Sequence, residues 1–376
     1  SIQHGLGENG PKSPWVDGKA AGPETLDQAE MLSNRADWVC NIKKHRFADE
    51  FHKSRSPDYS KIKVPFLSAA NWGGFGLHPR GNFEGFMRSA SRKKWLEVHG
   101  GRHEENFYLP ASVELQMKFF DFYLKSEKNS WDKEPRVMLT IRHPDHFETR
   151  NEREWPLKRT KWTKAFLDSM SSSLSWKPAK QQGKMKFDAH GDGLTFYSPP
   201  LEESVEITGP LAARMFISSN TIDADLFLTL LAFSDDGKEV EFQGTLDSHT
   251  PLAQGWLRAS HRELDVRISR PYMPYHKHKT SKLLKPNAVY PLDIEIWPTC
   301  IVLPARYRLA LVIQGKDFQR KATGSEENFR GVPMRGSGPF LHNNPDDRPK
   351  DVFEGMTTVY TGPGRGSYIL FPIIPK

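Results

Sequence analysis

Two changes of hydrophobic period along the 376 residues predict a chain of α/β plus all-β class. Short apolar runs at 63–70 and 94–99, separated by a helical pattern, have the character of strands buried in a parallel sheet. From about residue 136 onward strand-like segments follow one another with little helix between them, which predicts a two-sheet β-sandwich. A third observation bears on chemistry: Gly100-Gly101-Arg102-His103 occurs early, and no Gly-x-Ser-x-Gly occurs anywhere.

In chain order, residues 1–60 are polar, rich in Gly, Pro and Asn, with their clearest helix at 23–32; such a segment suits a cap or insertion. The run Lys63-Val64-Pro65-Phe66-Leu67-Ser68-Ala69-Ala70 then reads as a strand, 82–92 as a helix, and Lys94-Trp95-Leu96-Glu97-Val98-His99 as a second strand. Pro110 suits the first turn of a further helix, whose Val113, Met117, Phe120 and Leu124 recur on one face. Strand, helix, strand, histidine loop, helix is the closing half of a doubly wound sheet. Residues 137–141, 205–208, 213–217, 224–230, 290–296 and 307–313 are β-rich, with turn signals such as Ser234-Asp235-Asp236-Gly237 between them. Alternation puts Met215, Leu226, Leu228, Ile294, Ile296, Leu309 and Leu311 in the sandwich core. The expected domains are 1–60, 61–134 and 135–376, with long connections at 245–285 and 317–350 that bind or bridge something.

Composition narrows the function classes. The formal charge of +7 is spread among 46 acidic residues, and the basic run at 276–282 reads as a solvated loop, so no nucleic-acid role is expected. Cys40 and Cys300 lack metal-ligand spacing and are expected to be free, half-buried thiols. His249, His261, His276 and His278 have no acidic partner at ligand spacing, so neither metal nor cofactor is expected. No apolar run approaches the roughly 18 residues of a membrane span, and no leader is apparent. Any targeting signal would precede Ser1, and the cytoplasm is the favoured compartment.

The chemistry centres on His103. Its glycine-rich turn reads like the histidine turn of a serine hydrolase, in which the triad runs Ser, then Asp or Glu, then His along the chain. The nucleophile is therefore expected upstream of Ser1, on a complementary N-terminal chain or fragment. Asp223 and Asp225 look like a carboxylate pair but suit a structural role at the start of a strand, and Gly255-Trp256-Leu257-Arg258 suits packing between domains.

These segments together resemble the X-prolyl dipeptidyl-peptidase and cocaine-esterase family. The resemblance rests on Ile62-Lys63-Val64-Pro65 with Asn71-Trp72, the His103 loop with Phe119-Phe120-Asp121-Phe122-Tyr123, Ile207-Thr208-Gly209-Pro210, Asp223-Ala224-Asp225-Leu226 and Gly255-Trp256-Leu257-Arg258. It implies the C-terminal part of an α/β-hydrolase sheet with a cap remnant, followed by a jelly-roll β-sandwich. It also implies a Ser-His-Asp acyl hydrolase acting on a small-molecule ester or amide, with His103 as the catalytic histidine. Where the family carries Gly-Trp-x-Asp, this chain has Asn71-Trp72-Gly73-Gly74, so Glu84 is the nearest candidate acid. Trp72 and His78 are the substrate-binding candidates, with His78 and Arg80 equally suited to the start of the next helix. A non-catalytic homologue and a carbohydrate- or surface-binding sandwich are the competing readings, and a homo-oligomer is allowed.

Overall fold

Two aspartates start helices in the first unit of the chain, Ser1–Pro57. The computed structural model describes residues 28–33, 36–329 and 331–376; in this unit they form α1 (Gln28–Ser33), α2 (Trp38–Lys44) and α3 (Glu50–Ser54). Asp37 caps α2 by accepting from the Cys40 N–H at 2.9 Å, and Asp49 caps α3 by accepting from the Phe51 N–H at 3.0 Å. Of the helix expected at 23–32, residues 23–27 lie outside the described residues.

The second unit, Asp58–Lys376, begins with a small sheet. Its elements are β1 (Phe66–Asn71), α4 (Pro79–Arg88), β2 (Lys94–His99), α5 (His103–Tyr108), α6 (Pro110–Leu124), β3 (Val137–Arg142) and β4 (Phe147–Glu152), with strand order β1-β2-β3-β4. β1, β2 and β3 run parallel and β4 antiparallel. Alternation along β2 explains why helices cover both faces. Leu96 and Val98 pack with Phe83 and Phe86 of α4, whereas Trp95 packs with Phe119 of α6 and with Trp131.

Two sequence expectations are corrected here. The segment 137–141, placed at the head of the sandwich, instead pairs with β2, Leu96 opposite Val137 and Val98 opposite Leu139. The helical return through α6 brings the next strand in parallel, as a β-α-β crossover requires. The stripe Val113, Met117, Phe120 and Leu124 does not face the sheet; Leu115, Phe119 and Phe122 do, and the expected stripe stands in solvent. α6 is apolar on two sides, and spacing alone does not say which one the sheet takes.

The rest of the unit is β5 (Lys161–Asp168), β6 (Ser173–Ser175), β7 (Gly183–Asp188), β8 (Leu194–Tyr197), β9 (Val205–Ser219), β10 (Asp225–Phe233), β11 (Ala253–Arg258), β12 (Tyr290–Leu303), β13 (Arg308–Gln314), β14 (Asn328–Phe329), β15 (Val332–Pro333), α7 (Lys350–Phe353), β16 (Met356–Thr361) and β17 (Tyr368–Ile374). Eleven strands join in one sheet, in the order β11-β10-β13-β8-β6-β5-β17-β9-β16-β7 with β12 beside β9. Met215, Leu226, Leu228, Ile294, Ile296, Leu309 and Leu311 are all fully buried in one cluster. β10 and β13 lie far from β9 and β12 in strand order yet share this core, so the sheet packs face to face as a sandwich.

A buried cation joins the two sheets. Arg142 of β3 donates to the Cys300 carbonyl at 2.8 Å, to Thr299 Oγ1 at 2.6 Å and to the Leu252 carbonyl at 3.2 Å. Burial pulls its guanidinium down to about 10 and pushes the Cys300 thiol up to about 11. Cys40 is exposed and Cys300 buried, so neither thiol is half-buried, and both are free. Asp223 and Asp225 serve the fold: Asp223 accepts from the Ala224 and Ser260 N–H groups, and Asp225 pairs with Arg258 through both oxygens. Trp256 meets the rings of Trp297 on β12 and of His342.

Candidate active site

His103 owes its position to the turn that ends β2. Gly101 has φ of +73°, a left-handed conformation that favours glycine, and its carbonyl accepts from Asn71 Nδ2 at 2.8 Å. Asn71, fully buried at the end of β1, also accepts from the Gly73 N–H at 2.8 Å, so one side chain ties the two loops together. A Cβ at Gly100 would meet the Phe147 ring at 2.8 Å, which keeps the turn close to β4. Arg102 anchors the loop from outside through Glu327, 2.8 Å away.

The ring of His103 does not meet a carboxylate. Its Nδ1 lies 2.8 Å from Nε2 of His99, and Nδ1 of His99 lies 2.9 Å from Oε2 of Glu97. The rings of His99 and His103 lie 5.0 Å apart and within 11° of parallel. Glu97 and His99 are two residues apart on β2 and so stand on one face of the sheet, the face that α6 covers. No hydrogen bond from the described residues reaches His103 Nε2. Partial burial, and then the neighbouring rings of His99 and His78, hold the His103 imidazole below the ordinary histidine value. It is therefore neutral near pH 7, with a basic nitrogen available.

The four site residues expected from the sequence separate. His78, at the start of α4 without a side-chain cap bond, lies with its ring 5.0 Å from His103, and burial lowers its basicity too. Glu84 goes elsewhere: it is buried on α4, and Oε2 accepts from Arg88 at 2.8 Å. The helix turns it toward Arg88 one turn on rather than toward the histidine loop, so it is not His103's acid partner in this structure. Trp72 is only 1% exposed, packs against Phe83 and Trp155, and donates from Nε1 to the Thr140 carbonyl at 2.8 Å. That indole is core, not a substrate platform. Arg80 pairs with Glu295 of β12 at 2.9 Å and joins the sheets. Glu97 and His99 were not singled out as site residues, although the alternation Glu-Val-His of a strand leading into the histidine turn carried the signal.

A cavity of about 220 Å³ opens beside these histidines, walled by Ala69, Glu97, His99, His103, Phe107 and Phe119. Phe107 and Phe120 of its lining expose apolar side chains, as do Tyr108, Leu109, Val113, Met117 and Leu124 along α5 and α6. Among the described residues β1 lies at one edge of the four-stranded sheet and β4 at the other. The N–H groups of Phe66 and Trp72 bond to β2-side carbonyls, so the alternate residues turn their peptide groups outward, where the Ala69 carbonyl accepts from Asn82 Nδ2 at 2.9 Å. Among the described residues one group gathers possible metal ligands, His143, His146 and Glu148 on the β3–β4 turn, within 4.8 Å of one another. His146 there already pairs with Asp145 and Glu148, and two of the three side chains are exposed. Among the described residues no helix is long and apolar enough to cross a membrane.

Residues 129–370 match the model of the X-Pro dipeptidyl-peptidase C-terminal non-catalytic domain. The chain belongs to that family. The histidine relay lies outside the matched stretch, N-terminal to it. A chain of this X-Pro dipeptidyl-peptidase C-terminal family is here similar, along 95% of its length, to the cocaine esterase of Rhodococcus sp. (strain MB1 Bresler), at 22% identity over 411 residues. In structure it is similar to a CocE/NonD family hydrolase from Staphylococcus aureus, with 29% identity, a TM-score of 0.82 and 92% of this chain covered. An α-amino acid ester hydrolase shares the fold at 17% identity and a TM-score of 0.65, over 92% of this chain and 62% of that one. The chain spans 65% of the length of the esterase and 61% of the Staphylococcus hydrolase. Its relatives are hydrolases, and the family relationship to α/β-hydrolases and esterases follows.

Proposed function

We propose that this chain supplies the general base of a serine acyl hydrolase whose nucleophilic serine lies on a complementary N-terminal polypeptide. The observation that carries the reading is the state of His103: Nδ1 is held, Nε2 is open, and the ring is kept neutral at the mouth of a cavity. A base in this position takes the serine proton as the hydroxyl attacks an ester or amide carbonyl and returns it to the leaving group. The missing serine fits the absence of a Gly-x-Ser-x-Gly, and the open edge of β1 with the apolar rim of α5 and α6 supplies a seam for the complementary part. His78 lines that seam beside the base. In the same reading residues 1–60 are a cap remnant, the segment from 61 through β4 the closing part of the hydrolase sheet, and the strands from β5 onward a jelly-roll domain.

The test is His103→Ala in the assembled hydrolase. Turnover of a small ester is expected to fall by about 10²- to 10⁴-fold, the usual weight of a general base, with the elution volume of the assembly unchanged. The isolated chain is expected to hydrolyse nothing. Ester hydrolysis by the isolated chain, at a rate that His103→Ala leaves alone, would refute the assignment.

A further inference from the structure

We propose that Glu97 and His99 together replace the single acid of a triad, acting as positioning residues that fix which nitrogen of His103 carries the proton. The inference rests on His103 being the base, and it follows from the order of atoms along the relay. An ionised carboxylate only accepts, so the His99 nitrogen 2.9 Å from Glu97 Oε2 must be the protonated Nδ1. A neutral imidazole carrying Nδ1–H has a bare Nε2, and that atom lies 2.8 Å from His103 Nδ1. Two bare nitrogens repel, so His103 Nδ1 carries hydrogen and donates it. The proton is thereby kept off His103 Nε2. One carboxylate sets two tautomers in series, and the second is the one a general base needs.

The surroundings explain why a second ring is used. At position 74, where the resemblance implies an aspartate, even a Cβ would sit 3.2 Å from Pro79 Cδ and 3.3 Å from Thr245 Oγ1, so a longer side chain has little room. Glu84 is engaged by Arg88. Glu97 and His99 stand instead on a strand in the interior of the sheet, and His99 is almost completely buried, so the relay is held by backbone rather than by a loop.

In the reaction the serine O–H bond breaks and an N–H bond forms at His103 Nε2. The resulting imidazolium keeps its Nδ1–H bonded to His99, or passes that proton to His99 Nε2 and leaves the positive ring against the Glu97 carboxylate. When the leaving group takes the proton from Nε2, the relay returns to its starting form. The acyl group left on the serine is released when water takes the place of the serine hydroxyl and the same proton cycle repeats.

Long-range proton–nitrogen correlation spectra of the histidine rings in the 376-residue chain distinguish the two tautomers. His103 is expected as the Nδ1–H form. In Glu97→Gln the amide can donate to His99 Nδ1, which reverses both rings, so His103 is expected to shift to the Nε2–H form; Glu97→Asp is expected to restore the native one. In the assembled hydrolase Glu97→Gln and His99→Leu are expected to lower kcat by about 10²- to 10⁴-fold, as a wrong tautomer does, with KM little changed. An Nε2–H tautomer in the native chain, or one indifferent to Glu97→Gln and His99→Leu, overturns the relay. The two proposals fail differently. If His103→Ala abolishes turnover while both relay variants keep it, the relay is wrong and the base stands; if His103→Ala leaves turnover intact, the base assignment is wrong whatever the spectra show.

Discussion

The sandwich keeps its apolar side chains to itself, with Leu226 and Leu228 of β10, Leu309 and Leu311 of β13 and Ile294 and Ile296 of β12 fully buried together. The four-stranded layer likewise buries Leu96 on one face and Trp95, Phe119 and Trp131 on the other, yet it leaves large apolar side chains exposed on its outer helix. Met117 is 57% exposed, Phe120 51% and Leu124 77%, all on one side of α6, and Phe120 shares the lining of the cavity with Leu67 and Ala69 of β1. Exposed large apolar residues of the other layer, such as Met170, Ile222 and Val266, are scattered through loops. Scattered exposure is ordinary, whereas apolar side chains gathered on one helix face are the kind of patch that interaction surfaces carry. His103 and Phe120 line the same cavity.

The contrast breaks most visibly by truncating a side chain on each side. Leu228→Ala, in the closed core, is expected to cost about 2–5 kcal/mol, read from urea unfolding of the chain. Met117→Ser with Phe120→Ser, on the open face, is expected to leave the stability of the isolated chain within about 0.5 kcal/mol while weakening its association with the complementary polypeptide, measured by titration of the two parts. If the double variant destabilises the isolated chain as much as Leu228→Ala does, α6 is not an unpartnered face and the comparison fails.

A smaller effect sharpens the other side. His276 has its Nε2 buried without a hydrogen-bond partner, and burial pulls the imidazole from 6.5 to about 4. Between those values the unfolded chain binds a proton that the folded chain refuses, so stability falls as pH drops through this window and the term levels off below it. Replacing His276 with Gln is expected to flatten the slope of unfolding free energy against pH from about 6.5 to 5, the acid side of the ordinary histidine range. An unchanged slope would remove His276 from the account.

Much of this was legible in the residues. Strict alternation located the sandwich core at Met215, Leu226 and Ile294, because a period of two leaves one inner face, and the glycine–histidine turn drew attention to His103. The rest depended on tertiary choices that spacing does not encode. α6 carries two apolar stripes, and only the packing of Trp95 and Trp131 selects the Phe119 side. Trp72 stands where a strand gives way to a glycine-rich loop but is drawn inward by Phe83 and Trp155. Glu84 was the nearest carboxylate downstream of Gly74, yet the helix directs it to Arg88, while Glu97 and His99 reach His103 because parallel pairing sets the end of β2 beside Asn71.

The central claim is that base and nucleophile lie on different parts of one hydrolase, and covalent labelling tests it most directly. The native enzyme would be treated with a fluorophosphonate, which reacts with an activated serine, and the labelled peptide identified by mass spectrometry. The account predicts a label on a serine outside these 376 residues, formed far more slowly when His103 is replaced by Ala. A label on a serine of this chain, at a rate indifferent to His103→Ala, would contradict it.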